Sequence, residues 1–306
     1  MGFIARTSVG IGSTDTAGRN AGIGTETGTI ILNSSIPQVQ IWDGSSWQRI
    51  ANFVSSVSAT GGTKTTSGNN TLHTFNTSGE FLVSEVPTGS NAPKALATVL
   101  VIGGGGGGQG SQGFEGGGGG GGGGMVEGSN YPIAAQPYSI VVGGGGAFQS
   151  ASGTPSTAFG ATGVGGGYGN GSQGGSGGGG GGSCCAPPVA GGTSVQSSQP
   201  LPGTGSWAQY GNNGGAGINQ GGGGGGGGAG GAGNNGPGGA GGGGRANSIT
   251  GSPVTYARGG GGGYRTPGSP GNCNPNGGNI YQDNRGNGGN VCNAGSPGVV
   301  IISYPT

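Results

Sequence analysis

The feature that most limits what this chain can become is uninterrupted glycine. Runs fill positions 103–108, 116–124, 143–146, 177–182, 221–228, 241–244 and 259–263. A run of glycine has no side chain to bury, so it cannot supply a layer of a conventional hydrophobic core. Glycine makes up 92 of the 306 residues, while Leu, Ile, Val and Phe together number 47, too few for one ordinary core of this length. Collagen is excluded, because the glycines come in runs and not at every third position and there are only 17 prolines. Charge-driven disorder is not indicated either, since nine basic and eight acidic side chains leave a net charge of +1.

What remains is a chain held largely by its backbone. Polyglycine can adopt the extended three-residue-per-turn helix of polyproline II, rising about 3.1 Å per residue. With no Cβ, neighbouring helices can approach on all sides and exchange N–H···O=C bonds, with Cα–H···O contacts added. Ordering each residue costs ~1–2 kcal/mol and glycine more than most, whereas a hydrogen bond returns a net ~0.5–1.5 kcal/mol. Such a bundle needs a clamp. Apolar runs at both ends of the glycine region fit that role: Ala95–Ile102 flows into Gly103, Tyr138–Val142 into Gly143, and Gly298–Tyr304 closes the chain. Leu72–Phe75 and Gly79–Val83 read as further strands, and no amphipathic helical segment of ten or more residues occurs.

Composition changes near residue 102, before which 13 glycines occur and after which 79. Upstream, Gly28–Asn33, Gln38–Trp42 and Ser46–Ile50 read as strands, with Asp43-Gly44 a hairpin turn signal. The expected organisation is a β attachment module at 1–52, a Ser/Thr/Gly linker at 53–70 and a glycine-rich domain at 71–306. The expected fold class is all-β with irregular structure: a small N-terminal β-hairpin module plus a β-clamped polyglycine-II helix bundle, almost without α-helix.

The near-neutral charge gives no broad basic field, so neither nucleic acid nor an anionic membrane is an expected partner. After Glu127 only Asp283 is acidic, against Arg245, Arg258, Arg265 and Arg285, a local excess that hints at an anionic ligand. No apolar run approaches the ~20 residues of a membrane span. Met1–Gly10 lacks the pattern of a secretory signal, and Arg6 breaks the N-myristoylation pattern. Synthesis in a cytosol without export by those routes is therefore expected. Cys184, Cys185, Cys273 and Cys292 are disulfide candidates whose pairing is left open. The vicinal Cys184-Cys185 pair lacks the spacing of a zinc hook, and no metal or cofactor is implied.

Thr74–Val83, followed by Val99–Gly103 and more glycines, resembles the glycine-rich domain of bacteriophage tail-fibre and receptor-binding proteins. Tyr138–Gly146 with Ser156–Gly160 is similar to that family's second block, and Gly298–Tyr304 to its closing strand. Upstream, Gly28–Asn33 with Val39–Trp47 resembles a hairpin module recurrent in phage tail and fibre proteins. The nearest functional model the resemblance implies is the distal tip adhesin of T-even-type phages, in which a polyglycine-II sandwich carries loops that contact the host. The resemblance implies a virion tail protein made in the host cytoplasm. Its partners would be other tail or fibre proteins, through the N-terminal module, and a bacterial surface protein or glycan. Irregular insertions and the preceding β module depart from that pattern. Similar domains in animal receptor ectodomains bind proteins, so fold alone does not decide function. Oligomeric state stays open between a trimer and a monomeric cap, since no heptad is present.

Gly103–Gly108 satisfies the dinucleotide-binding glycine pattern, but no helix follows to receive a pyrophosphate. Gly174–Gly178 matches a nucleophile elbow by the same low-complexity accident. The single histidine, His73, lies in a strand and reads as structural, so no catalytic residues are assigned. Three insertions concentrate Trp, Tyr and Arg, the residues enriched at binding hot spots. They contribute the receptor-binding candidates Tyr131, Trp207, Tyr210, Tyr264, Arg265, Tyr281, Asp283 and Arg285, with capping of the bundle ends as the alternative role. Trp42 and Trp47 flank the hairpin turn and are candidates for the attachment interface. A single Arg-Gly-Gly at Arg258 does not make an RNA-binding tract, and threonine is too scarce after Gly103 for an ice-binding face. The function expected is that of a non-enzymatic phage receptor-binding protein; the alternative is a purely structural virion or extracellular fibre component.

Overall fold

A computed structural model describes residues 12–21, 26–35, 38–50, 56–88, 94–110, 116–183, 186–219, 221–264 and 283–306. The chain divides into two compact units, Met1–Phe53 and Val54–Thr306.

The first unit is a four-stranded sheet of β1 (Gly12–Thr14), β2 (Ile30–Asn33), β3 (Gln38–Trp42) and β4 (Trp47–Arg49), in that order. The short helix α1 (Thr16–Asn20) starts where the Asp15 carboxylate accepts the Gly18 N–H at 2.6 Å, satisfying one of the free donors of a first turn. The β3–β4 turn closes in the same way. Asp43 accepts the Ser45 and Ser46 N–H groups at 2.8 and 2.7 Å, and Gly44 takes the φ of +103° that the turn requires. These hydrogen bonds hold the Asp43 carboxyl well below the usual carboxylate range.

The second unit opens with β5 (Ser58–Thr60) and β6 (Thr63–Ser67), within the stretch expected to be a linker. That expectation is corrected. Threonine favours a pleated, half-buried surface, and the polar Thr63–Ser67 run suits the edge of a sheet, where charge and polarity discourage further pairing. Next come β7 (Asn70–Phe75), β8 (Gly79–Glu85), β9 (Leu96–Ile102), β10 (Met125–Pro132), β11 (Pro137–Ile140), β12 (Ser156–Ala158), β13 (Ala161–Gly163), β14 (Ser206–Tyr210), β15 (Arg245–Asn247), β16 (Val254–Tyr256) and β17 (Val299–Pro305). A six-stranded antiparallel sheet runs β14-β10-β9-β17-β7-β6, and a three-stranded one β11-β8-β5. The closing strand β17 thus lies between β9 and β7, the strands that precede the glycine region.

The unbroken apolar runs follow from burial on both faces of that sheet. Val99, Val101, Val300, Ile302 and Tyr304 join Phe81, Val83 and Ile140 on the side of the smaller sheet. Leu100, Ile102, Val299 and Ile301 point the other way, against Met125, Tyr256 and Ala257. His73 is fully buried in the first cluster. Its Nδ1 lies 2.6 Å from the Gly61 carbonyl and its Nε2 lies 2.9 Å from the Tyr304 hydroxyl. A carbonyl only accepts, so Nδ1 carries the proton and Nε2 accepts from Tyr304.

Between the strands the glycines form rods whose hydrogen bonds repeat every third residue. The segment 116–124 is the clearest case. It accepts from Gly106 and Gln109 at Gly121 and Gly118, from Ser176 and Gly179 at Gly122 and Gly119, and from Gly260 and Gly263 at Gly120 and Gly117. It donates through Gly119 and Gly122 to Gly224 and Gly227, through Gly120 and Gly123 to Gly289 and Gly286, and through Gly121 and Gly124 to Gly167 and Val164. All twelve bonds measure 2.7–3.0 Å and reach six neighbouring segments. A three-residue turn with partners on every side is the polyglycine-II arrangement.

Candidate functional site

The same ladders give each rod a direction and so sort the connections onto two ends of the bundle. Partner numbers that fall as donors rise, as from Gly106 and Gln109 to Gly121 and Gly118, mark antiparallel neighbours; rising pairs, as from Gly119 and Gly122 to Gly224 and Gly227, mark parallel ones. At one end the rods run straight into strands: Ile102 into Gly103, Gly124 into Met125, Tyr210 into Gly211, and Gly298 into Val299.

At the far end the rods are joined by turns. Gln149 donates to Gly108, Val189 to Gly181 and Gly263 to Gly117, each at the rod tip away from the sheets. Three large apolar side chains stand out there: Phe148 is 38% exposed, Val189 40% and Tyr264 46%. The described residues of these turns, at 148–150, 186–189, 218–219, 234–238, 264 and 291–293, include no charged side chain.

The candidates chosen from sequence separate between the ends. Tyr264 lies at the far end and is exposed. Tyr131, Trp207 and Tyr210 lie at the sheet end and are engaged internally. Trp207 on β14 opposes Gly128 on β10, where the absent side chain makes room for the indole, and its Nε1 donates to the Thr204 carbonyl at 2.7 Å. The Tyr131 ring stands 5.8 Å from Trp207 and 4.8 Å from Phe159, and burial pushes its hydroxyl pKa up. Arg245 stacks over Tyr210, its guanidinium carbon 3.6 Å from the ring centroid, and donates to its hydroxyl at 3.0 Å. Glu127 completes this cluster, 3.4 Å from Arg245 Nε and accepting from Asn247 at 3.0 Å.

Asp283 and Arg285 form an ion pair of 2.8 Å at the sheet end. They border a cleft of about 360 Å³ whose walls include Asn76, Thr250, Val254 and Tyr256. Asn284 fixes this segment by donating to the Asn76 and Gly298 carbonyls at 2.8 and 3.1 Å. The arginine excess noted in the sequence is thus partly consumed, with Arg245 and Arg285 each beside a carboxylate. Arg265, Tyr281, Cys184, Cys185 and Cys273 lie outside the described residues. Cys292 is disulfide-bonded. In the first unit Trp42 and Trp47 face each other across β3 and β4, ring centroids 5.6 Å apart.

Sequence reasoning missed Phe148 and Val189, because single apolar residues among Gly, Ser and Pro carry no periodicity. Their proximity to rod ends was the available signal.

A glycine bundle clamped at one end by antiparallel sheets and capped at the other by turns defines a class of glycine-rich β proteins. The chain belongs to the glycine-rich domain family, whose model matches residues 76–305. No curated protein matches the chain.

Proposed function

We propose that the protein is a non-enzymatic component of a bacteriophage tail, fibre or baseplate that binds the host cell surface through the far end of its glycine bundle. The carrying observation is the exposure of Phe148, Val189 and Tyr264 on turns at one end of rods tied to neighbours on many sides. Rigid presentation lowers the ordering cost of binding, and the apolar side chains on turns whose described residues carry no charge suit a neutral glycan or protein surface. The first unit serves as the attachment module to the rest of the tail. The protein is made in the host cytoplasm and works in the virion.

The test is adsorption of fluorescently labelled protein to a panel of bacterial strains, with native protein beside a Phe148→Ser/Tyr264→Ser variant. Saturable, strain-selective binding that falls at least tenfold in the variant supports the reading. Folded protein that binds no strain under varied ionic conditions sinks it. A structural virion or fibre role would then lead, and the inward packing of Tyr131, Trp207 and Tyr210 favours that second reading.

A further inference from the structure

At the sheet end of the second unit, the cleft of about 360 Å³ is bounded by the end of β7, the β15–β16 hairpin, β17 and the segment 283–285. Every residue that lines it belongs to this unit and is described. Its floor is apolar, because Val299, Ile301 and Tyr256 belong to the buried cluster on that face of the six-stranded sheet. Its rim is polar and carries Thr74, Asn76, Thr250, Asp283 and Arg285. An apolar floor with a few polar groups around it is the usual make-up of a small-molecule site, and the volume lies in the ordinary range.

Hydrogen bonds to backbone fix the rim. Asn284 donates to the Asn76 and Gly298 carbonyls at 2.8 and 3.1 Å, and the Ala257 N–H donates to the Arg285 carbonyl at 2.8 Å. The segment 283–285 is thereby tied to the residues that follow β7, precede β17 and follow β16. Groups held in this way lose little freedom when a ligand arrives. Asn76 uses its backbone carbonyl for this tie, and its exposed side-chain amide makes no bond to another described residue. The half-buried Thr74 hydroxyl is spare in the same sense.

The ligand class follows from charge and from hydrogen-bonding type. Asp283 and Arg285 neutralise each other across 2.8 Å, so the rim has no net charge to draw in an anion or an ammonium group. The carboxylate only accepts and the guanidinium only donates, whereas the Asn76 amide and the Thr74 hydroxyl do both. A ligand matched to this set carries several hydroxyls, each donor and acceptor at once, and a C–H face for the apolar floor. We infer that the cleft binds a neutral saccharide unit, with Asn76 and Asp283 as polar contacts and Tyr256 and Ile301 at its floor. This is a second site, at the opposite end of the bundle, and it does not rest on what the far end binds.

The experiment is saturation-transfer NMR on the full chain, with glucose, galactose, mannose and N-acetylglucosamine as probes. Ligands of about a dozen heavy atoms reach millimolar Kd at ordinary efficiency, so each is titrated to roughly 20 mM. Saturable transfer to at least one sugar is expected, weakened at least tenfold in Asn76→Ala and in Asp283→Asn. The Phe148→Ser/Tyr264→Ser variant should keep it, because those residues stand at the far end. Circular-dichroism melting checks that each variant is folded. If Asp283→Asn melts early, Asn76→Ala decides alone, since it leaves the carbonyl that holds Asn284 in place. Absence of transfer to all four sugars overturns the inference. So does transfer that survives the folded cleft variants. Loss in the far-end variant alone puts the sugar at that end, which overturns the cleft and supports the host-binding reading.

Discussion

Gly120 sits in the rod with partners on six sides, and a Cβ there would collide with the Gly106 carbonyl. Backbone cannot rotate away as a side chain can, so Gly120→Ala should cost about 3 kcal/mol, at the upper end of overpacking. Gly203 has open space around its Cβ position, and Gly203→Ala should change stability by less than about 0.5 kcal/mol or raise it slightly by restricting the unfolded chain. Denaturant midpoints of the two variants separate close packing from mere glycine content; equal midpoints would refute the six-sided packing. His73 supplies a second test. Burial lowers its pKa from the ordinary 6.5, so as pH falls through 6.5 the unfolded chain binds a proton that the folded chain refuses. Stability is then full above that value and declines below it. Because His73 is the single histidine, the midpoint should drop between pH 7 and 5 in the native protein and lose most of that slope in His73→Gln. A flat native profile would contradict the buried, neutral imidazole.

Among the elements, β17 has the most to hold. It pairs with β9 and β7 at once and contributes to the clusters on both faces of the sheet. Deleting residues 299–306 should therefore abolish cooperative unfolding, seen by circular dichroism against temperature. A truncated chain that kept the native transition would show that the rods stand without the clamp. This element was legible in sequence because burial on both faces demands a continuous apolar run. The same holds for β9. Polar strands were not legible: β5 and β6 read as linker because Ser and Thr suit turns and sheet edges alike. β14 was hidden inside an insertion, since nothing local says that Trp207 will lie over Gly128. For the same reason Tyr131, Trp207 and Tyr210 could be chosen as binding residues from their chemistry, while their internal partners depend on strand register.

The molecule as a whole stores its stability unlike an ordinary domain of its size. Direct readings of sequence captured the bundle, because polyglycine leaves few alternatives, but not which turns gather at the far end, since that depends on the direction of every rod. The bundle removes peptide groups from water more than it removes hydrocarbon. Apolar exposure raises the heat capacity of unfolding by about 0.45 cal/mol/K per Å², whereas polar exposure lowers it by about 0.26. With so few large apolar side chains and so many buried glycine peptides, the two contributions come closer to cancelling. Scanning calorimetry of the full chain should accordingly give a heat-capacity change below about 10 cal/mol/K per residue, against the ~12–15 of ordinary globular proteins. The stability curve should then be flatter, with less loss on cooling, because less of the driving force is the temperature-sensitive hydrophobic part. A value in the ordinary range would mean that the two apolar clusters around the six-stranded sheet dominate the energetics and that the glycine rods follow them passively.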